Sequence, residues 1–168
     1  LKAGLPWEER NESVNKLDLS NTDDRIFGQM LARQAEQAGD TAFLISDDER
    51  ISFREAQRLT NALAGGLQGL GVASGDRVAL YISNRPEMVL LALAVNKLGA
   101  IWTPINTDYK GEWLLDTLNR ARCKLLVTDE TLQSRVADIQ QTLEIEQLVL
   151  IADSGLNQLA GEVSRYGV

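Results

Sequence analysis

The sequence predicts an α/β fold: a mainly parallel sheet with helices on both faces, plus a short antiparallel hairpin near residues 42–52. Three observations predict it. Short runs rich in Val, Leu, Ile and Tyr recur at 77–83, 100–106, 124–128 and 147–151, each of a length suited to a buried strand. Between them, apolar residues fall three and four apart, the period of a helix facing a core. Glycine, proline and capping residues punctuate the boundaries. Strands alternating with helices of this length imply parallel pairing through crossovers, and a sheet covered on both sides.

The elements follow in order. Residues 1–21 are polar and without periodicity, an arm in which Trp7 is the one anchor candidate. Thr22 is placed to cap a helix, with Asp23 and Asp24 favouring its positive end. Ile26, Phe27, Met30, Leu31 and Ala35 recur at helical spacing, and Gly39 is suited to end that helix in a left-handed conformation. Two short strand-like runs, 42–46 and 50–52, flank the polar turn Asp47-Asp48-Glu49 and read as the hairpin. Ser52-Phe53-Arg54-Glu55 is a capping box: the serine oxygen accepts from the amide three residues on, and the glutamate reaches back. Phe53, Ala56, Leu59, Leu63, Leu67 and Leu70 then mark one helix face, stopped by Gly71.

Gly75-Asp76 is a turn into the strand at 77–83. Asn84 is placed as a cap, with Pro86 and Glu87 in the first turn. Residues 88–95 are apolar on every side, as in a helix buried between layers, and Gly99 ends it. The strand at 100–106 precedes a helix at 112–121 carrying Leu114, Leu115 and Leu118. After the strand at 124–128, Thr131 caps a helix with Leu132, Val136, Ile139 and Leu143, and 147–151 is the last strand. Residues 153–168 are polar and read as a loop or end segment.

Composition narrows the function. With 44% hydrophobic and 24% charged residues the chain is globular in character, and 168 residues suffice for one core. Its net charge of −7 argues against a phosphate-backbone binder, so no nucleic acid is expected. No run approaches the ~20 apolar residues of a membrane span. There is no histidine, which excludes Ser-His-Asp and Cys-His catalysis and histidine metal sites. The single cysteine, Cys123, reads as a buried, unreactive thiol, and a lone thiol fits a reducing cytoplasm.

Several motifs carry a functional and a structural reading. Gly66, Gly69 and Gly71 resemble a dinucleotide loop in spacing only. They close a helix instead of opening one, so capping and packing is the reading. Asp47, Asp48 and Glu49 form a solvated turn. Asp129 and Glu130 follow a strand end, where α/β proteins place ligands; alternatively, they complement the next helix N-terminus. Tyr109 and Trp113 either stack on a ligand base or close the core edge.

Taken together, Ser52-Phe53-Arg54-Glu55, Asn61 with Leu63-Ala64, Gly71-Val72 with Gly75-Asp76 and Val78-Ala79, Asn84 with Pro86-Glu87, and Lys97-Leu98-Gly99-Ala100 running to Pro104-Ile105-Asn106 resemble the N-terminal signature of AMP-forming acyl-CoA synthetases. That superfamily also holds luciferases and the adenylation domains of peptide synthetases. The resemblance covers residues 22–152. Asn106, Thr107, Tyr109, Lys110, Gly111 and Glu112 are more similar to acyl-CoA ligases, near the carnitine/crotonobetaine–CoA and fatty-acid–CoA branches.

The resemblance implies a two-step reaction. A carboxylate attacks the α-phosphate of ATP with Mg²⁺ present, and the CoA thiol then displaces AMP. In relatives a Ser/Thr/Gly-rich loop ending Pro-Lys-Gly, an aromatic-Thr-Glu segment, a ribose-binding Asp and a C-terminal Lys complete the site. None has a counterpart here; Lys110-Gly111 lies in the wrong context. No catalytic or metal residue is therefore carried over. One candidate is implied, Arg135 for the CoA nucleotide phosphate, against the reading of a surface arginine. The implied protein is the N-terminal scaffold fragment of an acid–CoA ligase, inactive alone. ATP, CoA and Mg²⁺ would serve the parent enzyme. Its partners would be the remaining subdomains, a carboxylic acid, and a second copy through an exposed apolar face. Two rivals stand beside it: a non-catalytic nucleotide-binding or interaction module derived from that fold, and an unrelated flavodoxin-like domain, which the lack of a phosphate loop after the first strand disfavours.

Overall fold

A computed structural model describes residues 20, 26–46 and 49–151. The arm with Trp7 (apart from Ser20), the cap at Thr22, the Asp47-Asp48 part of the turn, and residues 153–168 lie outside the described residues.

Helix α1 (Phe27–Gln37) leads into an antiparallel pair, β1 (Ala42–Ile45) and β2 (Arg50–Ser52). Helix α2 (Phe53–Gly69) follows. Then come β3 (Arg77–Tyr81), α3 (Pro86–Lys97), β4 (Ile101–Pro104), α4 (Gly111–Ala121), β5 (Leu125–Asp129), the short α5 (Gln133–Ala137), a 3₁₀ turn (Gln140–Thr142) and β6 (Gln147–Ile151). The last four strands form one parallel sheet in the order β4-β3-β5-β6. The predicted α/β class, the parallel sheet and the separate hairpin are all present.

Burial explains why β3 and β5 read as continuous apolar runs. Successive side chains point to opposite faces, and here both faces are covered. Val78, Leu80, Leu125 and Val127 pack with α2 and α3 in one cluster. Ala79, Tyr81 and Leu126 pack with α4 and α5 in the other.

Local chemistry sets the boundaries, with some departures from the sequence reading. Ser52 caps α2 as predicted, its Oγ accepting from the Glu55 amide at 3.2 Å. Glu55 does not close the box; its carboxylate lies 4.0 Å from Arg58. Gly71, at φ +84°, ends α2 as predicted, and the Val72 amide donates to the Leu67 carbonyl. Gly39 is not left-handed. Its need for glycine is steric: an added Cβ would meet the Ala35 carbonyl oxygen at 2.6 Å and the Arg54 guanidinium at 2.5 Å.

Asn84 does not cap α3. Arg85 holds the extended cap position, without a side-chain cap bond, and Pro86 opens the helix where its missing N–H costs nothing. Nor is α3 buried all round. Leu90, Leu91, Ala94 and Val95 face the core, while Phe27, Met88, Val89, Ala92, Leu93 and Trp102 line an open apolar groove of about 240 Å³. The helix predicted from Thr131 is broken. Val136, Ile139 and Thr142 are β-branched and weak helix formers, and i→i+3 bonds replace the regular ladder at Ile139 and Thr142. Leu132, Val136 and Ile139 are nonetheless buried.

Lys97, the last residue of α3, ties the helical layer together. Its Nζ donates to Gln57 Oε1 and Asn61 Oδ1 of α2, both at 2.7 Å. Burial lowers its pKa to about 8. Its stem lies over Gly28 of α1, where a Cβ would come 2.9 Å from Lys97 Cγ. Among the described residues no helix is long and apolar enough to cross a membrane.

Candidate functional site

Topology points to one crevice. From β3 the chain crosses over α3 to β4 on one side; from β5 it crosses over α5 to β6 on the other. The two crossover helices pack on opposite faces. The order therefore reverses between β3 and β5, and in open α/β sheets ligands bind beyond the carboxyl ends of strands at such a point.

Asp129 fills that place. It is the last residue of β5, one position inside the strand and not after it as the sequence suggested, and it is 1% exposed. Its Oδ2 accepts from the Ser83 amide at 2.7 Å. Its Oδ1 accepts from the Thr131 hydroxyl at 2.6 Å and the Leu132 amide at 3.1 Å. The hydroxyls of Ser83 and Thr131 lie 2.9 Å apart. Burial pushes the Asp129 carboxyl up, but the bonds from Thr131, Ser83 and Leu132 together hold it below the ordinary carboxylate value. Thr131 is therefore not the helix cap. Leu132 holds the cap position, without a side-chain cap bond, and Asp129 receives its amide while stitching the end of β5 to the residue two past β3.

Arg135 sits beside this lock, half-buried. One of its terminal nitrogens, Nη1, donates to the Thr107 carbonyl and lies 3.4 Å from Tyr81 Oη. The Tyr81 hydroxyl donates to the Tyr109 carbonyl at 2.6 Å. Arg135 thus holds the loop after β4 against β3. Tyr109 packs against the α4 cluster, whereas Trp113 is 74% exposed, its ring T-shaped to Tyr109 at 6.2 Å. Core-edge closure describes Tyr109 and not Trp113.

The chemistry of the arrangement follows. Both Asp129 oxygens are engaged, and its lowered pKa suits a fixed anion, not a proton acceptor near neutrality. The Thr128 hydroxyl is buried without a partner among the described residues. Cys123 is 3% exposed and burial raises its pKa, as a bland thiol requires. No group of three or more metal-binding side chains gathers among the described residues. Of the named candidates, the structure brings Asp129 and Thr131 together and places Arg135 one turn beyond. It leaves Glu130 outside. Sequence reasoning missed Ser83 as Asp129's partner; the two are 46 positions apart, and no local pattern links them.

Comparison with known proteins agrees with this architecture. A family profile described as AMP-binding enzyme matches residues 31–165. Tyrocidine synthase 2 of Brevibacillus parabrevis is 30% identical over 123 residues, covering 73% of this chain and 3% of that protein. The medium/long-chain-fatty-acid–CoA ligase FadD6 of Mycobacterium tuberculosis is 34% identical over 111 residues, 66% of this chain and 19% of the ligase. The chain thus spans 19% or less of the length of these two relatives. Among solved structures, the anthranilate CoA ligase AuaEII in complex with anthranoyl-AMP superposes with a TM-score of 0.73 at 25% identity, over 80% of this chain and 27% of that one.

Proposed function

The chain belongs to the AMP-binding enzyme family, and from that premise we propose that it forms the N-terminal α/β scaffold of an ATP-dependent acid–CoA ligase. The parent would convert a carboxylate, ATP and CoA into acyl-CoA, AMP and pyrophosphate, with Mg²⁺ neutralising the phosphates. The likeness to FadD6 carries the reading. The stretch after β4 supports it over an adenylation domain: Asn106, where peptide-synthetase relatives usually place Asp, accepts the Asp108 amide at 2.9 Å and shapes the loop that Arg135 holds. A fatty-acid or carnitine/crotonobetaine branch is part of this proposal, as is a cytoplasmic setting, which fits the single cysteine.

The described residues at the carboxyl-end crevice do not by themselves cradle ATP or CoA. Arg135 remains the candidate for the CoA nucleotide phosphate, and with Nη1 turned to Thr107 it would contact that phosphate through its other nitrogens. The chain's own contribution is otherwise positional: Asp129 and Arg135 fix the carboxyl-end loops against which the other subdomains would close. The parent should show acid-dependent ATP–pyrophosphate exchange, and the 168-residue chain should show none. Arg135→Ala in the parent should raise the KM for CoA at least fivefold and leave exchange, which needs no CoA, within twofold. A parent without exchange, or a thioester made by the chain alone, overturns the reading. Nucleotide binding by the parent without turnover would favour a non-catalytic module of the same fold.

The open groove between α1, α3 and β4 belongs to this proposal too. Exposed Phe27, Val89 and Trp102 are an apolar face that further segments of the parent would cover. Alone, the chain should pair through it. Light scattering should show mass rising with concentration, and Val89→Lys should suppress the rise; a strict monomer at high concentration counts against this cover.

A further inference from the structure

The opposite end of the sheet carries a different chemistry. Arg77 opens β3, Arg120 lies in the last turn of α4, and Arg122 follows as its C-cap. With Thr103 of β4 and Ala121 they line a cleft of about 570 Å³. A neighbouring cleft of about 460 Å³ shares Arg77 and Arg122 but is also lined by Asp76, Glu144 and Glu146, and its Lys124 is paired with Asp76 at 3.0 Å, so it is not part of the proposed site. We propose that the arginine cleft binds the phosphate chain of a small soluble phosphate compound, a site separate from the carboxyl-end crevice.

Three observations carry it. The chain holds 24 acidic residues against 17 basic ones, yet among the described residues no carboxylate lies within ion-pair distance of Arg77 or Arg122. Arg120 binds Asp116 through Nε at 2.8 Å, and among the described residues its terminal nitrogens make no further bond. Arg122 is the one described non-glycine residue with positive φ, at 49°, a conformation that glycine adopts freely at this helix position and arginine does not.

The plain alternative is that cations simply complement the negative end of α4. That accounts for Arg120 and Arg122. It does not account for Arg77, which arrives from the sheet, or for an arginine held where glycine is favoured. Guanidinium forks bind phosphate oxygens in pairs, and three of them around a cleft this size exceed what one orthophosphate needs. A membrane headgroup offers the same chemistry. The net charge of −7 opposes the approach of an extended anionic surface more than that of a small anion that meets only the local arginines, and so favours a soluble compound.

The test uses the 168-residue chain with inorganic tripolyphosphate, followed by calorimetry and by the Arg122 and Cys123 amide shifts in NMR. Saturable binding is expected, weakening with salt. Arg77→Gln and Arg122→Gly should each weaken it about tenfold. Arg122→Gly suits the backbone, so loss of folding will not mask the result, and Arg54→Gln, on the other side of the fold, should bind normally. Orthophosphate should bind more weakly than tripolyphosphate. No saturable binding, or undiminished binding by both cleft variants, overturns the proposal. So does sedimentation with phosphatidic acid vesicles without binding of tripolyphosphate. None of these readouts involves ligase activity, so the site stands or falls apart from the parent enzyme's reaction.

Discussion

Asp129→Ala should lower the unfolding free energy by about 3 kcal/mol at neutral pH. The side chain accepts from two backbone amides and a hydroxyl around a 1% exposed carboxylate. Alanine strands the half-buried Ser83 amide, at about 1–3 kcal/mol for an unsatisfied donor, and removes the charge-assisted bonds to Thr131 and Leu132; the Leu132 amide keeps the Asp129 backbone carbonyl at 3.2 Å. Asp129→Asn should cost less, because one oxygen survives, but its NH₂ must face a donor. The pH dependence follows from the sign of the shift. The folded carboxyl sits below its unfolded value, near 3.9 in a free chain. Its contribution is therefore whole above that value and disappears as pH falls through the lower folded pKa. Urea denaturation of wild type and Asp129→Ala should show a gap at pH 7 that narrows below pH 4. A gap under 1 kcal/mol at pH 7, or one that stays constant into acid, would show that the crevice is not held by this carboxylate.

Arg85→Met should be nearly as damaging, by about 3 kcal/mol. Glu87 is 4% exposed in the first turn of α3, and Arg85 grips it with two bonds, Nε to Oε2 at 2.9 Å and Nη2 to Oε1 at 2.7 Å. Removing the guanidinium leaves a buried carboxylate without its counter-charge, the expensive way to break such a pair. Removing both charges should be milder. The double variant Arg85→Met/Glu87→Met is expected to recover more than half of the loss, giving a coupling of roughly 1–2 kcal/mol in a double-mutant cycle. Additive losses with no recovery would mean that the pair is incidental and that Arg85 acts through other contacts.

The contrast between these two sites shows what sequence can carry. Leu59, Leu63 and Leu67 declared the inner face of α2 because helical spacing is local, and the structure buries all three. Gly71 and Ser52 declared its ends for the same reason. Pro86-Glu87 was legible as a helix start, but not the inward turn of Glu87, since a charge in a first turn is ordinarily solvated and only its neighbour Arg85 makes burial tolerable. Asn84 misled because its cap chemistry is good in isolation, while Pro86 already sets the start. Gly39 is needed for a steric reason and not a left-handed one: the Ala35 carbonyl is a local contact, whereas the approach of Arg54 depends on how β2 returns past α1. The Ser83–Asp129 bond and the gathering of Arg77 with Arg122 depend on strand order. Periodicity predicts that strands are parallel and says nothing about which lies next to which.

That order has a consequence for how the protein opens. β3 and β5 each have a hydrogen-bonded strand on either side, while among the described residues β4 and β6 are each held by one. The rims can part from the sheet and admit solvent while the inner pair stays closed, so isotope exchange at β4 and β6 amides reports only local fraying. Exchange at the amides of Val127 and Leu80 waits for the collapse of both hydrophobic layers at once, and its slowest rate measures the cohesion of the entire domain.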